Sequence, residues 1–476
     1  MIFKIVMFSR KVKSDWILCR NCYFGLAIWK VGRAVEGARL EYVFALCVTR
    51  VRIPNLPDFY SDLYFHIFIM KYSIEKIAWI DCIFAPMNDV HSVSIRIMCK
   101  AWSNNETLKQ GWIAHCLEHM FFKWWKRYKT QKDVAETLDS IGAVYNAFTS
   151  NNTVDYYVKC APNFVEKSLD VLADMMMNAK FDEKELEKEK WVIIQEMKMY
   201  EDDPMSLVSE KQRLWYFGNN SFGRPVIWNE KTVSSFTSQD LHEYKNSLYT
   251  KDNLIIVVAG KWAEDEKLKK LIWKYFSSMW EKRTVKKPKF PWKLPKEHES
   301  FFKKWTEQNH LIITAPWFTW NDNRRYAAKV LASILGWNMS SRLFQNIRTK
   351  EGLCYYISAY HVAGPEVWTF GIRAWMDKSR FEFWLKRIRE EVDKYVKKWA
   401  TQEEFEKCIW YLQWQTQMGI DTPEEMALFL WSQYLVYNKI DTLDEILDKY
   451  KKLTLNDVNQ LSSMLSLDNC YTYHIE

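Results

Sequence analysis

The stretch 143–161, AVYNAFTSNNTVDYYVKCA, decides the fold class. Its two halves are rich in Val, Tyr, Phe and Thr and are parted by the polar run Ser150, Asn151 and Asn152, the pattern of two strands around a turn. Strands joined this closely lie antiparallel, because a parallel crossover needs a dozen residues or more. Helical patterns stand on both sides of the hairpin, at 112–123 and near 130–140 before it and at 163–178 and 182–203 after it. Helices mixed with short-linked strands, rather than strictly alternating with them, argue an α+β fold.

Further out, KYSIEKIAWIDCIFAPM (71–87) and VHSVSIRIMCKA (90–101) read as paired strands, 236–250 as a helix and LIIVVAG (254–260) as a buried strand. The Lys- and Pro-rich segment 281–299, EKRTVKKPKFPWKLPKEHE, lacks an apolar period and reads as a linker between domains 70–280 and 300–476. After it come the strand HLIITAP (310–316), helices at 324–335 and 340–350, strands LCYYISAYHV (353–362) and VWTFGIRAW (367–375), and three more helices.

Residues 1–69 alternate apolar and basic runs without a sustained period, and read as upstream translation ahead of a start at Met70, or as a processed targeting segment. They hold ten lysines and arginines against five acids, so about +3 of the formal charge of +8 belongs to the rest of the chain. The charge argument for a nucleic-acid partner ends there. No run reaches the apolar length of a membrane helix, and ten scattered cysteines show no disulfide framework, so a soluble, cytoplasmic protein with reduced thiols is expected. Cys19 and Cys22 form a lone CxxC pair, whereas structural zinc takes four ligands.

The chain has 13 glycines, where about 33 are usual for its length, and 25 tryptophans. Trp102, Trp124, Trp125, Trp228 and Trp337 fall in loop contexts that favour glycine. Many of these tryptophans are therefore expected to be UGA codons that the source reads as glycine. A protein with genuinely aromatic loops is the alternative.

His115, Glu118 and His119 in HCLEH have the spacing i, i+3, i+4 and project from one side of a helix. Two imidazoles one turn apart can bind one zinc, and the glutamate beside them is placed to take a proton from water. The alternative is a solvated helix face. Catalytic zinc takes three protein ligands, so a third must come from elsewhere. Glu189 and Glu196 lie two turns apart on the 182–203 helix and share a face. Glu196 is flanked by Val192, Ile193, Ile194 and Met197, a setting in which a carboxylate needs a cation. Glu196 is the candidate ligand; Glu189 is a candidate support behind the ligands, or a surface ion pair.

With these residues in place, the chain from 70 to 476 resembles the inverzincin metallopeptidases of the pitrilysin type, which include insulin-degrading enzyme, the mitochondrial processing peptidase and bacterial relatives. That family's pattern is His-x-x-Glu-His, 76 residues and a ligand glutamate; here 76 residues separate His119 from Glu196. The family's preceding glutamate, needed for activity, is matched by Glu189, and its substrate-receiving strand by Asn146, Ala147, Phe148, Thr149 and Ser150. In RLFQNIRTKEGLCYYIS (342–358), Arg348 and Tyr355 match an arginine and a tyrosine that reach the active site from the opposite half. Either could instead be an ordinary residue at the core's edge. Trp124, Trp125 and Trp337 stand where the family commonly has glycine.

The resemblance implies two similar α/β-layered domains, mostly antiparallel sheet packed with helices, forming one half of a clamshell peptidase. It implies one Zn²⁺ per chain held by His115, His119 and Glu196, with Glu118 as general base and Glu189, Arg348 and Tyr355 assisting. It also implies a peptide substrate and a homodimer, or a heterodimer with a related chain, enclosing a chamber for unfolded peptides. The rival reading is a non-catalytic subunit of a two-chain peptidase, against which the intact motif residues speak.

Overall fold

A six-stranded sheet is assembled from β1 (Ser73–Ile77), β2 (Ile80–Pro86), β3 (Val93–Cys99), β4 (Val144–Thr149), β5 (Val154–Cys160) and β6 (Leu254–Gly260), in the order β1-β2-β6-β3-β5-β4. The computed structural model describes residues 70–476 apart from 102–105, 124–125, 151–152, 221–222, 225–229, 286–292, 319–321 and 364–367. The readings of 1–69, of Cys19 and Cys22, of Trp102, Trp124, Trp125 and Trp228, and of the middle of the 281–299 segment lie outside the described residues.

The β4/β5 hairpin forms as its sequence predicts, antiparallel with Val144 opposite Lys159 and Thr149 opposite Val154. The expected β2/β3 pair does not form. β6 inserts between them, parallel to β2 and antiparallel to β3. Local periodicity carries no information about which distant strand fills that slot. β6 divides its side chains by period 2: Leu254, Ile256 and Val258 enter one core, and Ile255, Val257 and Ala259 enter another.

A second sheet contains β7 (Glu299–Phe302), β8 (Gln308–Pro316), β9 (Tyr356–Ala363), β10 (Trp368–Asp377) and β11 (Tyr471–Ile475), in the order β7-β11-β8-β10-β9. Neither β7 nor β11 was expected, and among the described residues five α-helices rather than three helices lie between β10 and β11, with three short 3-10 turns beside them. The five residues of β11 are too few for a period to stand out, and burial on both sides explains their mixed composition.

Each sheet is covered on one face by a helix from the other half of the chain. Met426, Ala427 and Leu430 of the helix Pro423–Tyr437 pack on Ile83, Ile255 and Val257 of the first sheet. The first half contributes α1 (Ile113–Phe121), α2 (Gln131–Asp139), α3 (Val165–Asn178), α4 (Glu183–Asp202) and α5 (Pro204–Phe217). Leu207 and Val208 of α5 pack on Ile312, Tyr473 and Ile475 of the second sheet, and Gln212 Nε2 donates to Thr314 Oγ1 at 3.0 Å. This exchange explains a misleading feature of β3. Its polar alternates suggest a solvated face, yet every residue of β3 is buried. Arg96 pairs with Asp155 at 2.6 Å and lies over the Tyr157 ring.

Seven described non-glycine residues take positive φ: Ala78, Trp79, Trp112, Phe181, Trp262, Trp399 and Asn438. For an L-residue this conformation costs roughly 1–2 kcal/mol. Trp337 is not among them. The position in LGWNMSSR that needs glycine is Gly336, where an added Cβ would sit 2.4 Å from the Ala359 nitrogen. The seven described cysteines are free thiols, and no helix among the described residues is long and apolar enough to cross a membrane.

Replacing Asp155 with Leu strands the buried Arg96 guanidinium, which cannot shed its proton. A urea titration should find the variant about 3–5 kcal/mol less stable. Adding Arg96→Met should recover most of that loss.

Candidate metal centre

Helix α1 buries Ile113, Ala114, Cys116, Leu117, Met120 and Phe121, so the 3.6-residue period turns His115, Glu118 and His119 together to its other side. Helix α4 starts where the Asp182 carboxylate accepts the N–H groups of Lys184 and Glu185 at 3.0 and 3.2 Å. It buries Leu186, Glu189, Lys190, Ile193, Ile194 and Met197. Where α4 packs on α1, Glu196 Oε2 lies 3.7 Å from His115 Nε2 and 3.5 Å from His119 Nε2. One ligand atom from each of the three residues falls within 4.8 Å of the others.

Ligand atoms placed tetrahedrally at zinc–ligand distances of about 2.0–2.1 Å are separated by about 3.4 Å. The two contacts to Glu196 are close to that spacing, and two imidazoles with a carboxylate leave a fourth position open. The residues therefore fit zinc. The two rings stand 4.7 Å apart at 76°, so they approach a shared point without stacking.

Glu189 lies behind His119. Its Oε2 is 2.9 Å from His119 Nδ1, and its Oε1 is paired with Lys123 Nζ. Because an ionised carboxylate only accepts, the proton of this bond sits on Nδ1 and Nε2 is left to face Glu196. Glu189 is also the more buried of the two acids, with 8% of its side chain exposed against 25% for Glu196. The apolar setting expected for Glu196 thus belongs more to Glu189.

The electrostatics follow from these contacts. Burial works against ionising Glu189, but the bonds from His119 and Lys123 outweigh it and hold its carboxyl below the usual range. Burial pulls His119 down, yet its bonds to Glu189 and Glu196 push it up to about 9. Burial and the neighbouring His119 charge lower His115 to about 4. The bond from His119 is also the main reason Glu196 lies below its ordinary value. Burial raises Glu118, although the Thr149 hydroxyl donates to its Oε2.

Thr149 connects the centre to β4. Among the described residues that strand is the edge of its sheet, paired with β5. Asn146 and Phe148 are exposed, Ala147 is buried, and the Ala147 N–H is held by Asn146 Oδ1 at 2.8 Å. Ser150 lies just beyond the strand, where its N–H donates to the Thr153 carbonyl at 2.8 Å and so closes the turn. Arg348 and Tyr355 lie together in the second half, with the guanidinium 5.8 Å from the phenol ring, and both line a cavity of about 650 Å³. Tyr355 is 72% exposed. Among the described residues, neither makes a hydrogen bond, ion pair or ring contact with His115, Glu118, His119, Glu189 or Glu196.

Sequence reasoning missed two contributors. Lys123 lies one turn beyond His119 on α1, a spacing that could have marked it as a neighbour of whatever His119 meets. The buried Glu106 accepts the N–H groups of Trp112 and Ala114 at 2.9 and 3.0 Å and so anchors the first turn of α1. The Arg224 guanidinium donates to its carbonyl, and burial pushes its carboxyl up to about 8 despite these donors. An acid just ahead of a helix was the available signal.

Two family models match the chain. One described as Insulinase (Peptidase family M16) covers residues 84–228, and one described as Peptidase M16 inactive domain covers 235–412. A protein named an uncharacterized zinc protease from Bacillus subtilis is 33% identical over 380 residues, 79% of this chain and 91% of its own. A zinc protease of Rickettsia bellii is 31% identical over 378 residues, 79% of this chain and 90% of its own. In fold, a protease from Helicobacter pylori matches with a TM-score of 0.78 at 19% identity, covering 86% of this chain and all of that one. The similarity in sequence over nearly the whole length of these relatives, together with the two matched models, places the chain in the M16 family of zinc proteases.

Proposed function

We propose that the chain is a zinc-dependent endopeptidase that hydrolyses unfolded peptides or precursor segments. The observation that carries this reading is the meeting of His115, His119 and Glu196, from two helices, around one point, with Glu118 on the same face of α1. Zinc, when bound, supplies the Lewis acidity that polarises the scissile carbonyl and lowers the pKa of a water. Glu118 takes the proton of the attacking water and passes it to the nitrogen of the leaving amine as the C–N bond breaks. Burial raises the Glu118 carboxyl above its ordinary value, the direction that makes it a better proton acceptor. Glu189, held by Lys123, keeps the Nδ1 proton of His119 in place.

The substrate adds as a strand to the free edge of β4, from Asn146 to Thr149, taking the place of the Asn146 side chain on the Ala147 N–H. Main-chain pairing of this kind reads sequence loosely and favours extended chains. Arg348 and Tyr355 act on the substrate from a second chain, a copy of this one or a relative, supplying a cation and a phenol to the developing oxyanion. Among the described residues they make no hydrogen bond, ion pair or ring contact with the five metal-centre residues of the same chain, which supports that division, as does the cavity they line. The chain segments 70–280 and 300–476 serve as the catalytic and companion halves of the protomer.

The second reading, a non-catalytic subunit, draws on the matched model whose description carries the word inactive. That match spans 235–412, whereas His115, Glu118, His119, Glu189 and Glu196 fall in the 84–228 match. The catalyst is therefore favoured.

Cleavage of a quenched unstructured peptide by the full chain should stop with a chelator and return with zinc. Absence of cleavage despite one bound zinc per chain would transfer the proposal to the non-catalytic reading. Glu118→Gln should retain zinc and lower kcat about 10²–10⁴-fold; unchanged turnover would remove Glu118 as the base. Glu189→Gln should keep the fold by circular dichroism and weaken zinc binding about 10–100-fold.

A further inference from the structure

Four of the seven described non-glycine residues at positive φ are tryptophans: Trp79 (70°), Trp112 (82°), Trp262 (63°) and Trp399 (59°). Tryptophan makes up 25 of 476 residues, a share that would put fewer than one among seven. Bulky side chains are the poorest occupants of this region and glycine the best. The enrichment therefore runs against the physics of the residue written at these positions.

The local settings ask for glycine independently. Ala78 and Trp79 form the two-residue turn between β1 and β2, both with positive φ, a turn whose second place is typically glycine. Trp399 ends the helix Phe381–Lys398 at φ 59°, ψ 179°, at the border of a region nearly exclusive to glycine. Trp262 lies two residues past Gly260, in the turn that leaves β6. All three are exposed, at 71%, 54% and 51% for Trp79, Trp399 and Trp262, so little burial offsets the backbone cost.

Trp112 differs, because it is buried and opens the metal helix. Its indole meets the His115 ring edge-on at 4.9 Å. Among the described residues, the buried Trp112 Nε1 and His115 Nδ1 have no hydrogen-bond partner. A metal-ligating imidazole normally donates its second N–H, whereas here an indole lies against the His115 ring and the Nδ1 of that ring has no partner among the described residues.

We infer that positions 79, 112, 262 and 399 are glycine in the protein its own cell makes, encoded by UGA read as glycine. The residue at 112 is then a positioning residue of the metal centre. It lets the chain turn left-handed into α1 and leaves the Nδ1 side of His115 open to a hydrogen-bond partner. The part concerning 112 rests on the reading of His115 as a ligand; the decoding does not.

The codons decide the decoding directly. UGA at all four positions is expected, and UGG at any of them overturns it. In the full chain, glycine and alanine are also compared at 79, 262 and 399. Each Trp→Gly variant should have a folded-to-unfolded ratio about 5–30-fold above its Trp→Ala counterpart. Alanine equal or better, as at ordinary sites, overturns the inference. At 112, with the other three positions already glycine, Trp112→Gly should bind zinc about tenfold more tightly than Trp112→Ala at a matched Tm of the metal-free proteins. Equal affinity, or a chain that folds with alanine at 112 and not with glycine, removes the positioning role. None of these readouts uses peptide cleavage, so the peptidase reading and this one can fail separately.

Discussion

The contact between Glu189 and His119 Nδ1 organises the centre. A carboxylate this buried is unfavourable unless cations face it, and Lys123 and His119, one turn apart on α1, provide them. Two partners on one helix held by one acid on another fix how α4 is rotated against α1. Glu196, two turns along from Glu189, is thereby brought to the Nε2 atoms of both imidazoles. A slip of one residue along α4 would turn its side chains by about 100° and separate all these groups at once.

The exchange of helices between the halves carries that constraint through the molecule. α4 runs directly into α5, with the Asp203 carboxylate accepting the N–H groups of Met205 and Ser206. α5 is seated on the second sheet by Leu207 and Val208. The position of Glu196 thus depends on packing in a half of the chain that makes no described contact with the metal-centre residues. In return, the helix Pro423–Tyr437 covers the face of the first sheet on which Arg96 and Asp155 are paired, and Glu424 meets Lys159 at 2.7 Å. Neither half buries both faces of its own sheet with its own residues alone.

Features written in local period are legible in the sequence alone. The β4/β5 hairpin, α1 with its three chemical residues on one face, and α4 with Glu189 and Glu196 two turns apart all follow from spacing within a few turns of chain. The partners of those features were not legible. β6 between β2 and β3, Lys123 against Glu189, and Glu106 under the first turn of α1 depend on which distant segments meet, and local pattern does not encode that. Ser150 shows the same limit on a small scale: it reads as part of the strand, but its N–H is taken by the turn to Thr153.

By itself, the sequence determined the class of fold, and it put His115, Glu118 and His119 on one face of a helix and Glu189 and Glu196 on one face of another, because residue type and helical spacing suffice for these; the choice of Glu196 as candidate ligand drew on the family resemblance as well. It also exposed the imbalance between glycine and tryptophan, which is a matter of counting. Only the tertiary structure decided that the donor atoms converge, that Glu189 rather than Glu196 is the buried acid, and where left-handed backbone falls on tryptophan. Convergence, burial and backbone handedness are set by the packing of segments far apart in the chain, and no window of the sequence contains both sides of such a contact.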